Sequence, residues 1–310
     1  MNKKCKGCGS ILQSINVDEE GFVKSSVYDK SEYCERCFKI KHYGEYSVLD
    51  KKIDTDGIIR NINSDKIASV AFLIDSLNIN KNIKKYISKF KGNKYILLTK
   101  RDVLPKSLKE KKIIEFVKSN IIDIDNIMCI YIVGFTNSGK STFINHVLTS
   151  NLKKPTITTS SIPNTTASFI TIKLDSKLTI VDTPGFIDNE AIYNFVDYSK
   201  VTKLYPKKEI RVKTFQTRSG YAIVVNDILR IENIGTKLNS FSFYMNDKLR
   251  YEKVKSKNDK LKILPSLTFE INEPVDILIN GLGFIRVTKI GNVKINILDT
   301  KMVSIRKSMI

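Results

Sequence analysis

The cysteines of this chain come in two matched pairs. Cys5 and Cys8 in "CKGC", with Cys34 and Cys37 in "CERC", form the pattern C-x2-C-x25-C-x2-C. Each pair is a knuckle that presents two thiolates to one ion, and two knuckles complete a tetrahedral zinc set. Four protein ligands leave no open coordination position, so a structural zinc is expected rather than a catalytic one. In so short a segment, metal binding supplies most of the folding free energy. Gly7 and Gly9 suit the tight backbone of a knuckle. Cys129 sits in the apolar run "IMCIYIV" and reads as a core residue.

A second group of residues is spaced for phosphate chemistry. "GFTNSGKS" (134–141) matches G-x-x-x-x-G-K-[ST]. It follows the β-branched run 127–133 and opens the helical "TFINHVL", the strand–loop–helix context that the motif needs. Gly134, Asn137, Ser138 and Gly139 shape a loop whose backbone N–H groups face phosphate oxygens. Lys140 is placed for the β- and γ-phosphates, Ser141 for Mg2+ and Thr142 for the α-phosphate. Downstream, "KLTIVDTPGF" (177–186) is an apolar strand ending in D-x-x-G. Asp182 is expected to hold Mg2+ through water, and the Gly185 N–H to meet the γ-phosphate. In the intervening "IPNTTASF" (162–169), Thr166 is the candidate switch threonine for Mg2+ and γ-phosphate, with Thr165 as the alternative.

The stretch "ILLTKRD" (96–102) resembles a strand followed by the Thr-Lys-x-Asp tetrapeptide that reads guanine in many GTPases, yet it precedes the phosphate loop. Thr99, Lys100 and Asp102 are its candidate residues: Asp102 would accept from guanine N1 and N2, and the Lys100 stem would pack over the base. The strands 68–76 and 93–102 flank a helical "INKNIKKYISKF". Ligands of open α/β sheets bind at the carboxyl ends of strands whatever the chain order. An early base motif therefore points to circular permutation, which preserves the site when the original termini lie close.

Beyond "KLYPKKEIRVKTFQ" (203–216), short alternating segments predict a β-rich domain, namely "YAIVVNDILRIENI", "SFSFYMN", "SLTFEIN", "VDILINGLGFIRV" and "VKINILD". The net charge of +20 points to a polyanionic partner. Residues 1–50 carry 8 basic and 8 acidic side chains, whereas residues 206–310 carry 20 and 10. Lys, Arg, Tyr and Phe interleave there as RNA-stacking surfaces require. No apolar run is long enough to cross a bilayer, and the N-terminus lacks the apolar core of a secretion signal, so a cytoplasmic protein without a membrane partner is expected.

The motifs "CKGCGSILQ", "YCERCFKIKHYGEY", "TKRDVLPKS", "YIVGFTNSGKSTFIN" and "VDTPGF" resemble, in this order, those of the YqeH family of circularly permuted GTPases. The tail "INGLGFIRV…IRKSMI" is similar to that family's C-terminal domain. The resemblance implies GTP and GDP as ligands and a role in small (30S) ribosomal subunit assembly, with ribosomal RNA or a pre-30S particle as partner. It departs from the family at Thr99, where Asn is usual, and at Pro163-Asn164-Thr165-Thr166, where PGTT is usual. Only 31 residues separate Asp102 from Gly134, so the family's Ser-Ala base loop and a helix are missing.

The expected architecture is α/β, a circularly permuted P-loop GTPase domain (46–205) between a zinc-binding domain (1–45) and a basic β-rich domain (206–310), acting as a monomer. The rival reading is an RNA-binding assembly scaffold with a decayed nucleotide site; Asp102 disfavours a third reading, an ATPase. Phe186 stands where Ras-like enzymes carry the water-positioning Gln, so hydrolysis without a partner is expected to be slow. Asn137 occupies the place of a K+ ligand in some permuted GTPases, and bracing of the loop is its alternative role.

Overall fold

The computed structural model describes residues 3–17, 19–43, 53–66, 68–108, 129–150, 169–173, 179–196, 198–257 and 260–309. The chain divides into two compact units. One comprises Met1–Asp75, Asn82–Thr99 and Ser119–Asp188, the other Ser76–Lys81, Lys100–Lys118 and Asn189–Ile310.

The first unit is built on a five-stranded sheet of order β2-β1-β3-β5-β4. Its strands are β1 (Ala68–Asp75), β2 (Asn93–Thr99), β3 (Cys129–Val133), β4 (Ile170–Lys173) and β5 (Thr179–Asp182). β1, β2, β3 and β5 run parallel, and β4 is antiparallel to β5. β1 is buried along Ala68–Ile74, which is why it reads as a continuous apolar run: a parallel strand covered on both faces has no solvent side. On one face Ala71, Leu73, Ile132 and Ile180 pack with Ile144 and Leu148, two residues one helical turn apart. They belong to the helix Lys140–Ser150 that leaves the phosphate loop.

Before this sheet come α1 (Glu35–Tyr43) and α2 (Thr55–Ser64). The α2 N-terminus is capped by Asp54, whose carboxylate accepts from Gly57 N at 2.8 Å. α3 (Lys81–Ile87) lies in the segment expected to be helical, and the helix Lys140–Ser150 is α4.

Among its described residues the second unit holds α5 (Tyr198–Leu204) and ten antiparallel strands: β6 (Lys213–Thr217), β7 (Tyr221–Val225), β8 (Leu229–Asn233), β9 (Asn239–Tyr244), β10 (Tyr251–Lys255), β11 (Ser266–Ile271), β12 (Val275–Ile279), β13 (Gly283–Val287), β14 (Gly291–Ile297) and β15 (Val303–Lys307). They form two sheets, β10-β7-β8-β14-β11 and β15-β12-β13-β9-β6. Ile223, Ile231 and Ile295 of the first sheet meet Phe241, Phe243, Ile277 and Ile285 of the second in one apolar core. Period-2 alternation turns the neighbouring residues outward, among them Asp276 between Val275 and Ile277. Asp276 is nevertheless buried: it accepts from Met309 N at 2.9 Å, Ser308 Oγ at 3.1 Å and Arg306 Nη2 at 3.4 Å. Arg306 also donates to Ile79 O at 2.7 Å, so residues of Ser76–Lys81 help cover this face.

Candidate functional site

The phosphate loop joins β3 to α4, and its backbone departs from ordinary geometry at three places. Gly134, Asn137 and Gly139 have φ values of 148°, 62° and 89°. At Gly134 a side chain is impossible, because a Cβ would stand 2.6 Å from Leu73 O and 2.8 Å from Ser138 Oγ. Such a loop, opening an 11-residue helix at Lys140, forms a concavity of N–H groups that suits phosphate. Two buried polar atoms of the loop, Asn137 Nδ2 and Ser138 Oγ, have no hydrogen-bond partner among the described residues. Buried polar groups are almost always paired, and in a loop with this N–H concavity two such atoms suit a phosphate ligand.

Lys140 is buried, and its ammonium donates to Gly134 O and Phe135 O, each at 3.1 Å. Burial lowers its pKa to about 8, a shift opposed by the negative charge of Asp182. Asp182 is fully buried at the end of β5, in register with Ile132 just before the loop. Ser141 is half-buried and Thr142 exposed in the first turn of α4.

The D-x-x-G segment is stitched to the phosphate loop. Thr136 N donates to Phe186 O at 2.9 Å, and Phe186 N donates to Gly134 O at 3.0 Å. Between them Gly185 has no room for a side chain, since a Cβ would lie 2.8 Å from Thr136 Cγ2 and 3.0 Å from Lys140 Nζ. Phe186 is fully buried, with its ring centroid 5.5 Å from that of Tyr86 and 6.0 to 6.3 Å from those of Phe72, Phe90 and Phe135. Its side chain therefore forms the floor of the motif. Thr165 and Thr166 lie outside the described residues.

Thr99, the first residue of the early tetrapeptide, touches this loop directly. Its hydroxyl lies 2.7 Å from Ser138 O and 3.1 Å from Ile74 O, and it has one proton to give, so the nearer carbonyl is the main acceptor. A Cβ at Gly139 would meet the Thr99 side chain at 3.6 Å. The 39-residue separation in sequence is thus closed in space, and Thr99 braces the loop. Lys100 and Asp102 belong to the second unit. Lys100 takes a left-handed φ of 55° and holds its ammonium 5.3 Å from the Tyr205 ring centroid, while the Asp102 side chain is exposed in a 3-10 turn.

The four paired cysteines converge. The Sγ atoms of Cys5, Cys8, Cys34 and Cys37 all lie within 4.8 Å of one another, and all four residues are buried. The Cys8 and Cys34 sulfurs are 3.8 Å apart. A tetrahedron with Zn–S bonds of about 2.3 Å has edges of about 3.8 Å, so the geometry fits zinc. Cys34 N donates to Cys5 Sγ at 3.2 Å and Gly7 N donates to it at 3.4 Å. Hydrogen bonds from Cys34, then Cys37, lower the Cys5 pKa to about 7 and hold the Cys8 thiol well below its ordinary value. The left-handed φ of 80° at Gly9 closes the first knuckle, and Cys37 lies in the first turn of α1 in the second. The apolar contribution to this core is small, chiefly Leu12 and Val23, with Tyr28 and Tyr33 packed against it.

Comparison with known proteins agrees with the geometry. Residues 129–248 match the family described as 50S ribosome-binding GTPase. Over an alignment of 339 positions, covering 91% of this chain and 92% of the relative, the chain is 27% identical to the uncharacterized protein YqeH of Bacillus subtilis (strain 168). The chain is thus similar to YqeH over nearly its whole length, and its middle part matches a GTPase family. Its GTPase domain implies GTP or GDP with Mg2+ as ligands, and the cysteine cluster is compatible with zinc. Among the described residues no helix is long and apolar enough to cross a membrane.

Some contributors to this site carry no mark in the sequence. Thr136, which closes over Gly185, sits inside the motif at a position of no fixed type. Tyr86 and Phe90, which line the floor beneath Phe186, come from α3 and the turn after it. The only signal was an aromatic residue directly after a glycine in each motif, Phe135 and Phe186.

Proposed function

We propose that this chain is a circularly permuted GTPase that binds and hydrolyses GTP during assembly of the small ribosomal subunit. The observation that carries the reading is the hydrogen bond from Thr99 to Ser138 O, which ties the early tetrapeptide to the phosphate loop. Two facts support it. The strands β1 and β2 precede the phosphate-loop strand β3 in sequence, yet β1 pairs with it in the sheet. The matched GTPase range begins at residue 129, so the tetrapeptide lies upstream of what an ordinary GTPase order aligns.

In this reading Gly134, Asn137, Ser138, Gly139, Lys140 and Thr142 hold the phosphates, Ser141, Asp182 and Thr166 hold Mg2+, and the Gly185 N–H faces the γ-phosphate. Thr99 braces the loop while Lys100 and Asp102 serve the guanine. The nucleotide and Mg2+ supply the scissile phosphoanhydride and its charge neutralisation; the chain positions and shields them. Phe186 offers no group to orient water, so turnover without a partner is slow, on the order of 10⁻⁴ to 10⁻² s⁻¹. Cys5, Cys8, Cys34 and Cys37 hold one structural zinc, and elemental analysis of protein purified without added metal is expected to find about one zinc per chain.

The layout proposed is a zinc module (1–45), a permuted GTPase (46–205) and a basic β-rich domain (206–310) that contacts ribosomal RNA, in a cytoplasmic monomer. The ten excess positive charges of 206–310 support RNA contact. RNA affinity is expected to fall steeply with salt, by roughly 0.7 log units per log unit of salt for each phosphate contacted on a single strand. The matched family's description names the 50S particle, so co-sedimentation with purified 30S and 50S subunits decides the partner. Calorimetric titration with GTP, GDP and ATP tests the whole reading. Binding of guanine nucleotides over ATP is expected. No binding of any of them favours the RNA-binding scaffold, to which the 31-residue connection between Asp102 and Gly134 already lends support.

A further inference from the structure

A cavity of about 420 Å³ lies in the second unit, away from the phosphate loop in sequence. It is walled by the segment that follows D-x-x-G, by α5 and by the β7–β8 turn. That volume falls within the usual range of small-molecule sites, roughly 300–1,000 Å³. Leu204 and Ile228 are buried and give it an apolar floor. Phe195, in the wall, is 37% exposed although large and apolar. Lys200, Lys203 and Arg250 complete the lining against one carboxylate, Asp227, so the lining carries two net positive charges.

The turn is rigid where it matters. Asn226 takes a left-handed φ of 47°. It is pinned to the residue that brings the guanidinium: Asn226 N donates to Arg250 O at 2.9 Å, and Arg250 N donates to Asn226 Oδ1 at 2.7 Å. The Arg250 side chain pairs with Glu252 at 3.1 Å, but both are strongly exposed, so exchange for another anion costs little.

An exposed aromatic ring beside a net positive lining fits a ligand with a flat base and an anionic backbone. Stacking on the ring recognises any base, and the cations recognise its phosphates. We infer that this cavity is a binding site for one unstacked nucleotide of single-stranded RNA. The inference rests on the reading that the chain binds RNA, and it names where. Because Phe195, Lys200 and Lys203 follow Gly185 by 10 to 18 residues, RNA held here grips the segment leaving the γ-phosphate motif.

The test is fluorescence anisotropy of a 5′-fluorescein-labelled 12-nucleotide oligouridine with the full chain. Phe195→Ala is expected to weaken binding at least about tenfold, the effect of losing one stacked base, while Phe195→Tyr keeps it. The double variant Lys200→Glu, Lys203→Glu is expected to weaken binding further and to flatten the salt slope by roughly 1.4, two single-strand contacts. Thermal melting of each variant guards against loss of the fold. If the wild-type chain binds the oligonucleotide and the folded variants bind it equally well, the cavity is not the site and RNA binding by the chain still stands. If the wild-type chain binds no RNA at all, the reading beneath the inference falls and the inference with it.

Discussion

Lys140 is buried and Arg306 largely so, one cation in each unit, and they are held in different ways. Arg306 faces the carboxylate of Asp276 at 3.4 Å, donates to a backbone carbonyl and lies 5.0 Å from the Phe284 ring centroid. Lys140 donates to two carbonyls of its own loop; burial lowers the pKa of both cations against a nearby aspartate, so it is the partners that differ. Near it, the buried Asn137 Nδ2 and Ser138 Oγ lack partners among the described residues. A charge neutralised at contact by its own chain is architecture. A charge held by the carbonyl dipoles of a loop shaped for phosphate is prepared for a ligand. Deleting the first should damage the fold and spare binding; deleting the second should do the reverse.

The largest effect is expected at Asp276. Asp276→Ala leaves the largely buried Arg306 guanidinium without its counter-charge, a loss of up to about 3–5 kcal/mol, the scale for a broken buried pair. Thermal melting reads it directly, and in the protein that remains folded GDP affinity should be unchanged. A melting temperature within a degree of the wild type would show that the pair is dispensable and remove one side of the comparison. The second effect is on binding. Lys140→Ala is expected to weaken GDP and GTP at least about a hundredfold, the scale for a buried charged contact to phosphate, with no loss in melting temperature. Because the folded state bears the cost of burying this ammonium, removing it should leave stability level or slightly higher.

The same contrast appears in what could be read before the fold was known. The phosphate loop and the cysteine knuckles were legible because their geometry is local: a few consecutive residues create the N–H concavity or present two thiolates. The interior strands were legible because burial leaves a pattern, continuous in β1 and β12 and alternating in β9. Four strands went unmarked: β4, β6, β10 and β15. All four are sheet edges. Edges carry lysine, threonine and other polar residues that blunt further pairing, so "YEKVK" and "KTFQT" lack the apolar run or clean alternation of an interior strand. The role of Thr99 was also hidden. The tetrapeptide presents it as a member of a base-reading motif, whereas its hydroxyl spans 39 residues to brace the loop.

A third way to sharpen the comparison is pH. In the free protein the Lys140 ammonium is the form that binds phosphate, and its lowered pKa of about 8 means that this form declines as pH rises through that value. A bound phosphate favours the ammonium, so above about pH 8 binding takes up a proton and affinity falls, by at most tenfold per pH unit. Below pH 7 the effect vanishes. The Lys140→Arg variant stays charged throughout and should lose this component of the profile. Identical profiles for the two proteins between pH 7 and 9.5 would mean that Lys140 does not titrate in this range or does not reach phosphate.

The smallest expected effect is at Asn137, and it asks whether the unpartnered amide of the loop serves an ion. Asn137 holds a left-handed φ of 62°, which fixes the direction of a side chain whose Nδ2 is buried without a partner among the described residues. If the amide braced the loop through that nitrogen, a described loop acceptor would face it. A monovalent cation bound through the amide oxygen would add positive charge where the leaving phosphate accumulates negative charge, help on the leaving side in a site where Phe186 orients no water on the attacking side. GTP turnover is therefore expected to be several-fold faster in KCl than in NaCl at matched ionic strength, since Na+ is too small to span the same oxygens. Asn137→Ala should bring the K+ rate down to the Na+ rate while Lys140 continues to hold the nucleotide. Equal rates in the two salts for the wild-type chain would refute the ion. Retention of the K+ advantage by Asn137→Ala would place the ion on other ligands and leave Asn137 as a brace through its oxygen.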